Sequence, residues 1–164
     1  MVAHIPYVVR TMQPDHLARV ARLHEHVFGP GRFARTAFRV REMTTADLEL
    51  SAVVMRGHDL LGAVTMSPIS IGDLPAYLLG PIAVAVSDQR AGVGQALMAH
   101  ALAAADAVGQ TAVILVGDPP FYRPFGFAPA APRSIGLPGP VDPGRLLVRQ
   151  APGQPPPAGE VRLR

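Results

Sequence analysis

At 164 residues, 49% of them hydrophobic, the chain is long enough to bury a sizeable core and is expected to fold as one domain spanning 1–164. Its net charge is only +3 and all 15 basic residues are arginine, scattered along the chain, which speaks against a nucleic-acid partner and excludes any phosphate loop built on lysine. The lack of cysteine excludes disulfides, thiolate metal sites and an acyl-cysteine intermediate, and no apolar run reaches the roughly 18–20 residues of a membrane span, so a cytoplasmic protein without membrane contact is expected.

The β-rich stretch 7–10 predicts a first strand. Pro14 and Asp15 then mark a helix start, because proline suits the first helical position and a carboxylate suits the positive end of the helix dipole. Leu17, Val20, Ala21, Leu23, His24, Val27 and Phe28 follow near helical spacing until Gly29-Pro30-Gly31 stops them. His24 and His26, two residues apart, would face different sides of that helix, so no metal site is expected there. Arginines alternating with Phe33, Phe38 and Val40 predict a second short helix over 32–42, a region that either borders the entrance to a site or is simply solvated.

Apolar runs at 48–55 and 60–66 flank Arg56-Gly57-His58-Asp59, which has the chemistry of a hairpin turn; a second turn at 71–75 leads into a third run, 77–86. These three make an antiparallel meander. Gly80-Pro81 interrupts the third run, and since proline cannot donate to a ladder, a bulge or splayed edge is expected there, opening the strand to a ligand. Val93, Leu97, Ala101, Ala104 and Val108 recur on one stripe of a long helix from 90 or 91 to 108, with Gly109 as its left-handed cap. A buried strand follows at 111–116; Gly117-Asp118-Pro119-Pro120 breaks the chain, and 121–127 reads as one turn of helix. Beyond 128 the chain is rich in proline and glycine, with a strand at 145–149 and a low-complexity turn at 151–158.

The chemistry concentrates where the third run of the meander meets the long helix, in Gln89-Arg90-Ala91-Gly92-Val93-Gly94. Glycines at 92 and 94 let a ligand approach the backbone, and the first amides of a helix have no intrahelical partner, so with Arg90 beside them they could cradle a pyrophosphate; tight strand-to-helix packing would use the same glycines. A dinucleotide fingerprint needs a third small residue where Leu97 stands, and needs its glycines after the first strand of a parallel unit rather than after a meander, so that alternative is disfavoured.

The segment resembles the coenzyme A motif of the GNAT superfamily of N-acyltransferases, Arg/Gln-x-x-Gly-x-Gly/Ala. Phe121-Tyr122-Arg123-Pro124-Phe125-Gly126-Phe127 is similar to that family's Phe-Tyr-x-x-x-Gly-Phe, and the order of elements agrees from about Val8 to Phe127. The resemblance implies a mixed α/β fold: a mostly antiparallel central sheet with a splayed strand pair, flanked by helices. It implies acetyl-CoA as co-substrate, with no metal, and direct transfer of the acetyl group to a primary amine of a small molecule or protein. Ile82, Ala83 and Val84 would pair with the pantetheine arm, and an N–H near Ala83 or Val84 would polarise the thioester carbonyl. The amides of Gln89, Arg90, Ala91, Gly92, Val93, Gly94 and Gln95 would hold the pyrophosphate, and Tyr122 would protonate the departing thiolate. Asp118 stands where many members carry asparagine. Glu25, His24, His26, Glu42 and Asp73 are candidates for the base by expected proximity, with water as an alternative. Dimerisation through C-terminal strands is a further implication. A non-catalytic acyl-CoA sensor would keep the cradle but has no need of Tyr122.

Overall fold

The computed structural model describes residues 6–42, 44–110 and 112–164, with only the backbone of 33 and 34; Thr111, expected to open a strand, lies outside them. β1 (Val8–Thr11) leads through a 3-10 turn, Pro14–His16, into α1 (Leu17–Phe28). Gly29, at φ 70°, stops that helix in a conformation a side chain would strain. The second helix is shorter than expected: Pro30–Ala34 is a 3-10 turn and only α2 (Thr36–Glu42) is α-helical, because Arg35, with φ −77° and ψ 133°, is extended and separates the two.

The meander consists of β2 (Ala52–Arg56), β3 (Asp59–Ile71) and β4 (Leu74–Val84), joined by tight turns at Gly57-His58 and Gly72-Asp73. Its limits differ from the apolar runs. Residues 48–50 form a turn, since the Asp47 carboxylate accepts from the N–H of Glu49 and Leu50, and Leu74 and Pro75 already belong to β4. The expected break is present. The β3–β4 register passes from Val64↔Ile82 to Met66↔Leu79, so Gly80-Pro81 places one extra residue in β4.

α3 (Val93–Ala107) follows, then β5 (Ala112–Val116), α4 (Pro119–Tyr122) with a 3-10 turn at Arg123–Phe125, β6 (Ala128–Pro129), β7 (Ile135–Gly136), β8 (Leu146–Gln150) and β9 (Gly159–Leu163). Val108, expected on the apolar stripe, is 57% exposed and follows the last helical residue, with its N–H still bonded to Ala104 C=O; Gly109 caps the helix at φ 74° as expected. Among the described residues the strands run in the order β1-β2-β3-β4-β5-β8-β6, with β9 laid against the far end of β3 and against β7. Every pairing in this order is antiparallel except β4 with β5, which is confined to Tyr77↔Val113 and Leu78↔Ile114. Past that point the two strands part.

Alternation along the strands distributes the core. Ala52, Val54, Val64 and Met66 face α3 with Val93, Leu97 and Met98; Val53, Met55, Ala63 and Ala83 face α1 with Val20 and Leu23; Ile69, Leu78 and Ile114 meet Val40 of α2 with Ile135 and Leu146. Gly62 permits the close approach of α3, because a Cβ there would come 2.9 Å from Val93 Cγ1 and 3.1 Å from Leu97 Cδ1. Among the described residues no helix is long and apolar enough to cross a membrane.

His24 is enclosed between α1 and α2, 5% exposed, with its ring against Phe28 and edge-on to Phe38 and no partner for Nε2. Burial foremost, then the charges of Arg41 and Arg32, hold its pKa at about 4 instead of 6.5. The unfolded chain therefore takes up a proton below pH 6.5 that the folded chain refuses until about pH 4, so stability is complete above pH 6.5 and falls as the pH drops toward 4. A loss of about 2 kcal/mol is expected between pH 7 and pH 5. Urea midpoints at the two pH values measure it, and His24→Leu removes this contribution; an equal loss in the variant would place its origin elsewhere.

Candidate active site

The parting of β4 from β5 opens a gap bordered by Ile82 and Val84 on one side and Val116 and Gly117 on the other. Backbone direction along β4 follows from its register with β3. Ala85 donates its N–H to Leu61 at 2.7 Å, and Ala83 lies two residues away in the same phase, so Ala83 spends its backbone groups on β3. Ile82 and Val84 consequently turn theirs toward the gap. Of the three strand residues named from sequence, these two can hydrogen-bond a chain laid beside them.

Gln89, Arg90 and Ala91 form an exposed turn at the end of β4, and α3 begins at Val93 rather than at 90 or 91. Gly92 precedes it at φ 80°, and Arg90 also adopts the left-handed conformation, at φ 71°. The first intrahelical bond runs from Ala96 N–H to Gly92 C=O, which leaves the N–H groups of Val93, Gly94 and Gln95 without helical partners at the positive end of a four-turn helix. The gap and the helix end meet at Gly94. A Cβ placed there would sit 3.4 Å from Phe121 Cζ and 3.9 Å from Val84 Cγ2, so β4, α3 and α4 converge on this one position.

At its inner end the gap widens into a cavity of about 600 Å³. Gly80, Pro81 and Ile82 form one wall, Val116 to Asp118 with Phe121 and Tyr122 the opposite one; Phe28, Thr36 and Phe38 cover it from the helices, and Val141, Asp142 and Arg145 from the C-terminal segment. Tyr122 is held by its surroundings: its ring stands edge-on to Phe121, at 4.8 Å between centroids, and packs on Phe127, while a Cβ on Gly117 would strike it. Only glycine fits beneath that ring. Burial, reinforced by the charge of Asp118 and opposed by Arg145, pushes the Tyr122 hydroxyl up to about 12, so it stays protonated at any physiological pH.

The five residues considered as base do not line this cavity. Glu25, His26 and Glu42 are exposed, Asp73 sits in the β3–β4 turn, and His24 faces a smaller cavity with Met12 and Arg41. The carboxylates on the cavity wall are those of Asp118 and Asp142, which sequence reasoning passed over as bases. Asp118 pairs with Arg145 at 3.3 Å, and Asp142 accepts the N–H of Gly144. Both stand on loops between strands, and only the pairing of β5 with β8 brings them to one place. Among the described residues no cluster of three histidine, aspartate or glutamate side chains is placed to hold a metal.

The family model described as "Acetyltransferase (GNAT) domain" matches residues 8–130. The fold is similar to that of a GNAT family N-acetyltransferase, YhbS, of Escherichia coli, solved in complex with CoA: TM-score 0.78, 22% identity, covering 100% of this chain and 93% of that one. It is similar as well to a GNAT family acetyltransferase of Brucella melitensis in complex with acetyl-CoA, with a TM-score of 0.71, 24% identity, and 98% and 97% of the two chains covered. N-acetylglutamate synthase of Neisseria gonorrhoeae, complexed with coenzyme A and L-arginine, matches with a TM-score of 0.60 and 14% identity over 91% of this chain and 34% of its own. No curated protein matches the chain significantly.

Proposed function

Because the chain belongs to the GNAT acetyltransferase family, we propose that it transfers an acetyl group from acetyl-CoA to a primary amine by direct attack, both substrates being bound together. The observation that carries this reading is the continuity of the gap: it runs from the bare amides of α3, past the gap-facing backbone of Ile82 and Val84, to a cavity walled by Tyr122.

The residues present fit the coenzyme. Gly94 has no room for a side chain larger than methyl beside Phe121, and the left-handed Arg90 and Gly92 turn the chain so that the amides at the helix start are left for a pyrophosphate. Val93, Gly94 and Gln95 would hold the phosphates, and Ile82 and Val84 the pantetheine arm in the manner of an added strand. The bound coenzyme supplies an activated thioester. Val84 N–H, aimed into the gap, would donate to the thioester oxygen as charge develops on it. Tyr122 would donate its proton to the sulfur, and its raised pKa keeps that proton available. Asp118 and Asp142 are the wall carboxylates able to take a proton from the acceptor amine. The lack of cysteine leaves no route through an acyl-cysteine.

Calorimetric titration with acetyl-CoA, followed by thiol release against a panel of primary amines, tests the proposal. Binding in the micromolar range and amine-dependent thiol release are expected. Binding without release by any amine would support the sensor reading, and a folded protein that binds no coenzyme would sink both.

A further inference from the structure

We propose that Asp88 and Arg56 form a clasp that sets the shape of the phosphate-binding turn, so that Asp88 is a positioning residue for the nucleotide end of the coenzyme. The inference rests on the coenzyme reading given above.

The turn that must receive the phosphates is tied back to β4 by a bond from Gln89 Nε2 to Val84 C=O at 3.3 Å and otherwise stands out from the sheet. Gln89, Arg90 and Ala91 are exposed, and two left-handed residues, Arg90 and Gly92, lie within four positions. A left-handed conformation costs a non-glycine residue about 1–2 kcal/mol, so the chain around Arg90 needs an outside constraint to keep it there. Asp88, at the root of the turn, supplies one. It is 8% exposed, and all its polar groups are engaged. Oδ1 accepts from Arg56 Nη1 at 2.9 Å and Oδ2 from Ser87 Oγ at 2.9 Å; its N–H donates to Ala85 C=O at 2.9 Å and its C=O accepts from Ala91 N–H at 3.3 Å. The backbone bonds close the turn, and the carboxylate fastens it to the last residue of β2.

That fastening is a charge pair largely withdrawn from water, in which losing one partner strands the other. Neither Asp88 nor Arg56 lines the cavity, so neither is placed to act on the acetyl group or the amine. A turn already in its binding shape pays no ordering cost when phosphates arrive; a turn released from β2 pays it at that moment, as lost affinity. The effect should therefore be confined to ligands that carry a pyrophosphate.

The experiment compares wild type with Asp88→Asn, Arg56→Met, the double variant and Arg56→Lys, each titrated calorimetrically with CoA and by NMR with S-acetylpantetheine, which lacks pyrophosphate and adenosine. Each of the first two variants is expected to weaken CoA about tenfold, with the double variant no weaker than either, since both break one interaction. Arg56→Lys, keeping the charge, should stay within about threefold of wild type. S-acetylpantetheine affinity should not change, and hydrogen exchange of segment 86–95 in the ligand-free protein should quicken in Asp88→Asn and Arg56→Met. CoA affinity unchanged in both variants, or S-acetylpantetheine weakened as much as CoA, would overturn the clasp while leaving the coenzyme reading intact. Failure of wild type itself to bind CoA would overturn the two together.

Discussion

Tyr122→Phe is expected to lower kcat/KM by about 100- to 10,000-fold, the range for loss of a positioned proton donor, while leaving acetyl-CoA affinity within about threefold. The two effects separate because of how the ring is held. Phe121, Phe127 and the bare Gly117 grip the aromatic part, and phenylalanine would occupy the same slot, so only the hydroxyl is removed. A pKa near 12 also means that the wild-type rate should show no alkaline loss from this phenol until the pH approaches that value. Steady-state kinetics across pH, paired with calorimetry on both proteins, makes the measurement. Near-normal turnover in the variant would reduce Tyr122 to a packing residue.

Gly92→Trp should abolish coenzyme binding, raising Kd by at least about 100-fold, or roughly 2.7 kcal/mol. Gly92 adopts φ 80° immediately before α3, with the Tyr7 hydroxyl 3.5 Å from where a Cβ would stand. An L-residue there is strained by about 1–2 kcal/mol, and an indole would have to be housed next to the amides assigned to the phosphates. Gly92 itself lies outside the buried core formed by Val93, Leu97 and Met98, so the variant should still fold, with a melting temperature lowered by a few degrees. Calorimetric titration with acetyl-CoA decides the matter. Retained binding in a folded Gly92→Trp would remove the phosphates from this helix end.

Where a single residue dictates backbone behaviour, the sequence was readable. Pro81 has no N–H to give, and the extra residue in β4 is found beside it; Gly109 and the Gly57-His58 turn stand where their conformational freedom placed them. The long helix was readable because Leu97 and Ala101 repeat at its period, although that signal set its ends poorly: α3 starts two or three residues late, at Val93, since Arg90 is drawn into a left-handed turn against its own preference. What depends on register was hidden. Whether Ala83 or Val84 aims its N–H into the gap is a matter of odd and even counting from the β3–β4 hairpin across the extra residue in β4 and of the bond from Ala85 to Leu61, neither of which composition reports. β6, β7 and β9 were missed because two-residue strands and a strand after Pro155-Pro156-Pro157 carry almost no local pattern; their partners make them strands. The proposed base followed the same logic. Glu25, His24, His26, Glu42 and Asp73 are candidates only through an expected chain path, whereas Asp118 and Asp142 come to the cavity from distant loops.

The brevity of the β4–β5 pairing gives the molecule a jaw. Two residue pairs, Tyr77↔Val113 and Leu78↔Ile114, join the half of the sheet that carries the helix-end amides to the half that carries Tyr122. Just behind that joint, β9 returns from the second half and binds Ile69 to Ile71 of the first, bracing the closed end. The gap is thus closed at Tyr77 and widest toward Val84 and Val116, while α3 packs on both halves beneath it. A chain laid along the gap would be anchored at its closed end and free to adjust only at its open one, so the joint fixes where such a chain starts and leaves its far end to the loops.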